Sequence, residues 1–189
     1  MAINRIILII LFSFIFMQCK EANDSKRFAK EYPLAGDDNI FLYRNASETA
    51  DILEKGRGIV LIGFKECSWC QHYAVILQDV AREMEIDRIY YCDIRKDREK
   101  NSENYQRIVR ILSDRLQYDD EGRERVYVPD VSVVSRGRII ARDNETSKET
   151  LGYSTPEEYW TEERVNALKE RLRPGIYILH QLISRDCNC

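Results

Sequence analysis

The chain has 189 residues, 44% of them hydrophobic, which is enough length and apolar content for one ordinary domain with some extra sequence. Its formal net charge of −3, from 29 basic and 32 acidic residues, lacks the basic excess typical of phosphate-backbone binding, so we expect no nucleic-acid partner. Six cysteines against two histidines indicate that any chemistry here is sulfur chemistry, and we expect neither a metal nor a cofactor.

The first feature in chain order is an apolar run. Ile6 to Met17 contains a single serine and follows the positively charged Arg5. Its twelve residues fit the hydrophobic region of an export signal, about 7–15 residues long, and fall short of the roughly 20 that a transmembrane helix needs. Cys19, directly after the run, resembles the lipidated cysteine of bacterial lipoproteins, although Phe16-Met17-Gln18 departs from their usual motif. An uncleaved signal anchor and plain secretion are the alternatives.

This N-terminal signal or anchor, residues 1–19, determines the expected compartment. Each interpretation places the rest of the chain in the cell envelope or outside it, tethered to the membrane or released, where disulfides persist. Residues 20–39, polar and interrupted by Pro33 and Gly36, predict a linker. The domain is expected over residues 40–173, and residues 174–189 form a tail that ends in Cys187-Asn188-Cys189.

Hydrophobic periodicity predicts alternating strands and helices from residue 40 onward. Strands are expected at 40–43, 59–64 and 89–94, and helices at 48–55, from the Cys67–Cys70 segment onward, and at 102–116. The strand at 59–64 is apolar at odd and even positions alike, which is typical of a central strand covered by helices on both faces. Ser47 and Gly56 are the expected caps of the first helix.

A hairpin and a closing helix complete the pattern. Two strands, at 131–134 and 138–142, flank the turn residues Arg136-Gly137. The last helix is expected to begin at Thr155-Pro156 and to end before Pro174. The order β-α-β-α-β-α-β-β-α predicts an α/β fold with a mixed central sheet flanked by helices.

The segment Cys67-Ser68-Trp69-Cys70 lies between the buried strand and an amphipathic helix. Unpaired N–H groups and the positive end of the helix dipole favour a thiolate at this position. Cys67, the more N-terminal and more exposed cysteine, is therefore the expected nucleophile, and Cys70, one turn later, is the expected resolving cysteine. A structural disulfide and half of a zinc site are the alternatives.

The CxxC segment, Val128-Pro129 about sixty residues later, the hairpin and the closing helix together resemble the thioredoxin superfamily over residues 40–172. More narrowly, they are similar to secreted or membrane-tethered thioredoxin-like proteins of Gram-positive bacteria, some labelled bacteriocin transport accessory proteins. The resemblance implies a thioredoxin-like fold with Pro129 as a cis-proline beside the sulfurs. It also implies that the Val128 backbone pairs with an extended substrate and that Trp69 contacts the substrate or a reductase. An ordinary trans proline and simple packing of Trp69 at the helix start are the alternatives.

Two departures from the thioredoxin pattern leave the direction of electron flow open. Cytosolic thioredoxins carry a buried aspartate six residues before the first cysteine, whereas this chain has Leu61. Ser68-Trp69 replaces the Gly-Pro pair that lies between their cysteines, and these two positions tune the redox potential. Lys65 and Glu66 have opposite expected effects on the pKa of Cys67.

The other cysteines and the histidines have separate expectations. Cys92 is expected to be buried, inert and free. For Cys187 and Cys189 a tail disulfide is favoured, with electron relay to the CxxC pair or soft-metal binding as alternatives. His72 is expected at the surface or its boundary, and His180 has no companion ligands.

The expected function is thiol-disulfide exchange outside the cytoplasm. The partners would be thiols and disulfides of exported proteins, a membrane or secreted redox protein, and the membrane itself through the N-terminal lipid or anchor. The alternative is a non-catalytic thioredoxin-fold accessory protein that serves peptide or bacteriocin export, or one that binds a soft metal.

Overall fold

The computed structural model describes residues 21, 23–149 and 152–187. The predicted signal or anchor over residues 1–19, with Cys19, lies outside these residues, as does Cys189. The strands are β1 Phe41–Tyr43, β2 Arg57–Gly63, β3 Ile89–Asp93, β4 Gln117–Tyr118, β5 Glu124–Arg125, β6 Asp130–Ser135 and β7 Arg138–Asp143. The helices are α1 at residues 23–31, α2 Ala46–Lys55, α3 Ser68–Glu83, α4 Arg95–Glu99, α5 Glu103–Leu112, α6 Thr146–Glu149, α7 Pro156–Tyr159 and α8 Glu162–Cys187.

In the described part of the chain, five strands form a mixed sheet in the order β1-β3-β2-β6-β7. β1 and β2 both pair in parallel with β3, whereas β6 runs antiparallel to β2, and β7 antiparallel to β6. The predicted α/β class, the central position of β2 and the hairpin between β6 and β7 are confirmed. β4 and β5, on either side of the charged segment 119–123, form a separate two-stranded ribbon that was not predicted from the sequence.

Helices cover both faces of this sheet, because β2 presents apolar side chains to each side. Ile59 and Leu61 belong to one core cluster, together with residues of α1, α3 and α8. Val60 and Ile62 belong to a second cluster, together with residues of α2 and α5. Because helices cover both faces of β2, its side chains are buried on either side, which explains why it lacks polar side chains from residue 59 onward.

The segment expected to be a linker is structured over residues 23–39. Helix α1 is followed by a 3-10 turn at Pro33–Ala35, and Phe28 and Tyr32 are completely buried. The Phe28 ring stacks on Tyr32 at 4.3 Å and on Phe41 of β1 at 4.0 Å between centroids. Phe28 and Tyr32 are four residues apart, so they share one face of a helix, and their burial outweighs the polar character of the other positions.

The prediction that the last helix ends before Pro174 is wrong, because α8 continues through Pro174 to Cys187. A helix does begin at the predicted position, where Thr155 accepts a hydrogen bond from the N–H of Glu158 and Pro156 is the first residue, but it is the four-residue α7 and not the last helix. A break after α7 then separates it from α8. Beyond the proline, the completely buried Ile176 and Leu179 pack into the core, which offsets the hydrogen bond that proline removes.

The caps of α2 also differ from expectation. Asn45, and not Ser47, is the N-cap: its side chain accepts from the Glu48 N–H, while the Glu48 carboxylate accepts from the Asn45 N–H. Gly56 has extended backbone geometry instead of the left-handed one.

Among the helices of the described residues, none combines the length and the apolar character that crossing a membrane requires.

Candidate dithiol site

Cys67 and Cys70 lie at the start of α3, directly beyond the end of the central strand. Cys67 is the N-cap residue, and the two cysteines form a disulfide with their Cα atoms 5.2 Å apart. Cys67 is 8% exposed and Cys70 is completely buried, so the predicted order of exposure is confirmed. The Cys70 N–H points at Cys67 Sγ, 3.1 Å away. In the reduced protein this N–H would stabilise a Cys67 thiolate.

Charges next to Cys67 are partly compensated. Lys65 and Glu66 are exposed, and the Glu66 carboxylate lies 3.1 Å from the guanidinium of Arg95. A hydrogen bond from its own backbone N–H and the Arg95 guanidinium hold the pKa of Glu66 below its usual value. Glu66 is therefore a paired carboxylate, which weakens its opposition to a thiolate at Cys67.

The Val128–Pro129 peptide bond is cis, and it lies at the same end of β2 as the disulfide. The register between β2 and β6 pairs Leu61 with Val131 and Ile62 with Asp130, so Pro129 follows toward the end of β2 that leads to Cys67. Pro129 is buried and Val128 is half-buried.

An aromatic cluster borders the start of α3. It consists of Trp69, Tyr153, Tyr159 and Trp160, with Trp69 edge-on to Tyr159 at 5.8 Å and Tyr159 edge-on to Trp160 at 4.8 Å between ring centroids. Trp69 is half-buried, so it packs at the helix start and still presents part of its ring to solvent. The aromatic residues of the segment between α6 and α8 were not recognised from sequence, because their distance from the cysteines in the chain hides the contact.

A second set of residues near Cys70, around Gly63 and Gln71, was also not recognised from the sequence. Gly63, the last residue of β2, has no side chain, and the space above it is bordered by Tyr32, Cys70 and Tyr91. The Gln71 amide donates to the carbonyl oxygens of Glu31, at 2.8 Å, and Lys65, at 2.9 Å. The end of α1 is thereby joined to the segment that carries Cys67.

Cys92 and the C-terminal end of α8 lie away from the CxxC pair. Cys92 is 1% exposed and free among the cysteines whose side chains are described, and it faces the core cluster beneath α2 and α5, as predicted. Asp186 at the end of α8 pairs with Arg57, the first residue of β2, at 2.5 Å. The seven residues of β2 span roughly 20 Å, so the end of α8 lies at the opposite end of the sheet from Cys67.

The two histidines lie at the boundary of the fold. His72 is half-buried, as predicted, with its Nε2 3.7 Å from the Glu157 carboxylate, and burial lowers its pKa. His180 lies 3.7 Å from Glu85 and lines a cavity of about 650 Å³ at the end of the sheet away from the disulfide.

No cluster of three or more histidine, cysteine or acidic side chains within the described ranges is arranged to hold a metal ion. Comparison with known proteins finds no matching family model, curated protein or solved structure.

Proposed function

We propose that this chain is a thiol-disulfide oxidoreductase with a thioredoxin-like fold that acts outside the cytoplasm on exported proteins. The observation that carries the proposal is the Cys67–Cys70 disulfide at the N-terminus of α3. A helix N-terminus is where a cysteine thiolate is stabilised, and a CxxC pair there can cycle between dithiol and disulfide.

The chemistry requires only the two sulfurs. The Cys67 thiolate attacks a substrate disulfide, forms a bond to one substrate sulfur and releases the other as a thiolate. Cys70 then attacks Cys67, closing the Cys67–Cys70 disulfide and releasing the second substrate thiolate. The substrate gains two electrons and the enzyme loses two, and the reverse sequence oxidises a substrate dithiol.

Two further observations support the thioredoxin-like assignment. The sheet order β1-β3-β2-β6-β7, with two parallel pairs and two antiparallel pairs, is compatible with such a fold. The cis Val128–Pro129 bond lies at the end of β2 that leads to the cysteines. The exposed part of Trp69 and the Val128 backbone are the surfaces that we assign to substrate contact.

The apolar run Ile6–Met17 and Cys19 support export followed by tethering in the cell envelope, by lipidation or by an uncleaved anchor. The closer relationship we propose is to tethered thioredoxin-like proteins of Gram-positive bacteria. A membrane or secreted redox protein would return the CxxC pair to its starting state after each turnover.

The proposal is tested by trapping mixed disulfides with the full chain. Cys70→Ser should accumulate a one-to-one mixed disulfide with a disulfide-containing test protein, because the resolving thiol of Cys70 is missing. Cys67→Ser should form none and lose turnover, whereas the matched control Cys92→Ser should keep both properties. Absence of trapping by Cys70→Ser, together with undiminished turnover in the double variant that carries both Cys67→Ser and Cys70→Ser, would overturn the proposal.

Two further measurements separate the remaining alternatives. Stoichiometric zinc or copper in protein purified without chelator, lost in the double variant, would assign the cysteines to metal binding instead. The reduction potential of the pair separates directions of transfer: about −270 mV indicates a reductant, and about −120 mV indicates an oxidant.

A further inference from the structure

The end of the sheet away from the disulfide carries a cluster of arginines, here called the arginine patch. Arg57 begins β2 and pairs with Ser135 at the end of β6, and Ser135 pairs in turn with Arg138 at the start of β7. Arg136 lies in the turn between β6 and β7, and Arg185 lies in the last turn of α8. Sheet register and the length of α8 therefore bring four arginines from three separate parts of the chain to one corner of the fold.

The charges of the arginine patch are only partly compensated. Its four arginines line one cavity of about 380 Å³, whose lining within the described residues contains a single acidic side chain, Asp186. The Asp186 carboxylate pairs with Arg57 and lies 3.1 Å from the guanidinium of Arg136, so two of the arginines share it. Four arginines around one aspartate leave three positive charges in excess, in a chain whose formal net charge is −3. The patch therefore suits a partner with several negative charges.

Apolar side chains lie among these arginines. Ile140 of β7 and Leu182 of α8 line the same cavity, and both are half-buried. Ile178, one helical turn before Leu182, is 46% exposed, and Arg185 follows Leu182 by three residues, so the three share one face of α8. Helices that lie on a membrane surface combine these features: apolar side chains meet the acyl boundary, and arginines meet the headgroup phosphates.

The chain enters the described fold at the same end of the sheet. The carboxylate of Glu21, the first described residue, lies 3.9 Å from the guanidinium of Arg88. Arg88 immediately precedes β3, and together with Arg57 it lines the cavity of about 650 Å³ at this end. Cys19 is two residues from Glu21, so covalent geometry keeps it within about 7 Å. A tether at Cys19, or at the apolar run before it, therefore brings this end of the sheet to the bilayer.

We propose that the arginine patch, with Ile140 and Leu182, docks on anionic phospholipid headgroups of the membrane that holds the chain. This inference rests on the tether in the proposed function and adds the surface that meets the bilayer. Two independent features favour a lipid surface over a soluble anion, namely the entry of the chain at this end and the apolar side chains among the arginines. β2 spans roughly 20 Å between this corner and the CxxC segment, so docking turns the disulfide away from the bilayer, toward water-soluble exported proteins.

The experiment measures arginine accessibility in the full chain inserted into lipid nanodiscs. Phenylglyoxal modifies accessible arginines, and peptide mass spectrometry gives a rate at each position. Each arginine near an anionic surface favours the docked state about fivefold. With three charges in excess, modification of Arg136 and Arg138 should be about 100-fold slower on phosphatidylglycerol nanodiscs than on phosphatidylcholine ones. Arg123, whose side chain is 69% exposed and which lines a cavity with Glu99 of α4, should react equally on both.

A double variant tests whether the patch itself causes the protection. Arg136→Gln combined with Arg138→Gln leaves one excess positive charge at this corner. Arg185 should then be protected only about fivefold on phosphatidylglycerol, instead of the roughly 100-fold expected in the wild-type chain.

Lys96→Gln combined with Lys100→Gln is the matched control. Both lysines are exposed, and they lie in or directly after α4, which follows β3. β3 is parallel to β2 and pairs Asp93 with Gly63, so α4 begins at the CxxC end of the sheet. This variant loses the same net charge from the opposite end of the molecule, and it should keep the wild-type protection of Arg136, Arg138 and Arg185.

Three outcomes would contradict this inference in distinguishable ways. Equal modification rates of Arg136 and Arg138 on the two lipids, with the chain inserted, would overturn docking and leave the proposed function intact. Equal protection by inorganic phosphate on phosphatidylcholine nanodiscs would assign the patch to a soluble anion and would also overturn docking. A chain that inserts into neither nanodisc would contradict the tether and this inference with it, whereas disulfide exchange at Cys67 is tested separately by trapping.

Discussion

Single residues of one type take different roles here because their surroundings differ. Cys67 is an N-cap whose sulfur receives a backbone N–H, an environment that favours a thiolate. Cys92 lies among apolar side chains on the other face of the sheet, and burial raises the pKa of its thiol to about 12. The first environment suits a nucleophile, and the second suits a small hydrophobic residue.

The buried Cys92 thiol predicts a loss of stability at alkaline pH. The unfolded thiol ionises near 9.0 and the folded one near about 12. The contribution of the protonated thiol to the free energy of unfolding is therefore complete below pH 9. It is lost as the pH rises toward 12, by roughly 1.4 kcal/mol per pH unit. The unfolding free energy should fall more steeply from pH 9 to 10.5 with Cys92 than with Cys92→Ala.

Urea unfolding under reducing conditions measures this difference, in a background carrying Cys67→Ser and Cys70→Ser so that disulfide exchange is removed. The cavity left by alanine lowers the free energy of unfolding equally at both pH values, so only its slope against pH is compared. Equal slopes would show that Cys92 ionises normally in the folded protein.

At the scale of elements, α8 shows how packing overrides local preference. Proline usually ends a helix, and Gly175 directly after it is a poor helix residue. Both are accommodated because the glycine allows α8 to approach β7 closely: a Cβ on Gly175 would overlap the Cβ of Ala141. The helix then continues and buries Ile176 and Leu179.

Gly175→Ala tests this close approach. Helix propensity alone predicts a gain of about 1 kcal/mol, whereas overlap with Ala141 predicts a loss of about 1–3 kcal/mol. We expect the loss, measured by urea unfolding. In an Ala141→Gly background the overlap is removed, so Gly175→Ala should then cost little of the free energy of unfolding relative to Ala141→Gly alone. A Gly175→Ala protein more stable than wild type would show that α8 does not depend on this contact.

At the scale of the whole molecule, α1 completes one face of the sheet. Phe28 packs between the rings of Tyr32 and Phe41, and Tyr32 reaches the space beside Cys70. The helix is thus part of the hydrophobic core and not a spacer in front of the domain.

Phe28→Ala distinguishes a core helix from a linker. Loss of a completely buried phenylalanine should destabilise the protein by about 3–5 kcal/mol, whereas a change in a linker would cost less than about 0.5 kcal/mol. Lys30→Ala, at an exposed position of the same helix, is the matched control and should change stability little. Chemical unfolding of the three proteins measures both effects, and similar values for the two variants would contradict the role of α1.

The parts of the fold that sequence predicts well are those with local causes. Two-sided burial identified β2, the Arg136-Gly137 turn identified the hairpin, and Thr155-Pro156 identified a helix start. The linker and the end of α8 were mispredicted because Pro33, Gly36 and Pro174 are strong local signals. Their effect is offset by burial of residues such as Phe28 and Leu179, which depends on contacts distant in the chain.

For the site, the sequence by itself determined the two sulfurs and their order, because strand, CxxC and helix are consecutive. Only the tertiary structure decided what surrounds them. Tyr32, Tyr91 and Cys70 all border the space above Gly63 because α1 packs against the sheet, and parallel pairing of β2 with β3 aligns Asp93 with Gly63. Chain order determines neighbours along one strand or helix, whereas neighbours across the sheet depend on register and packing.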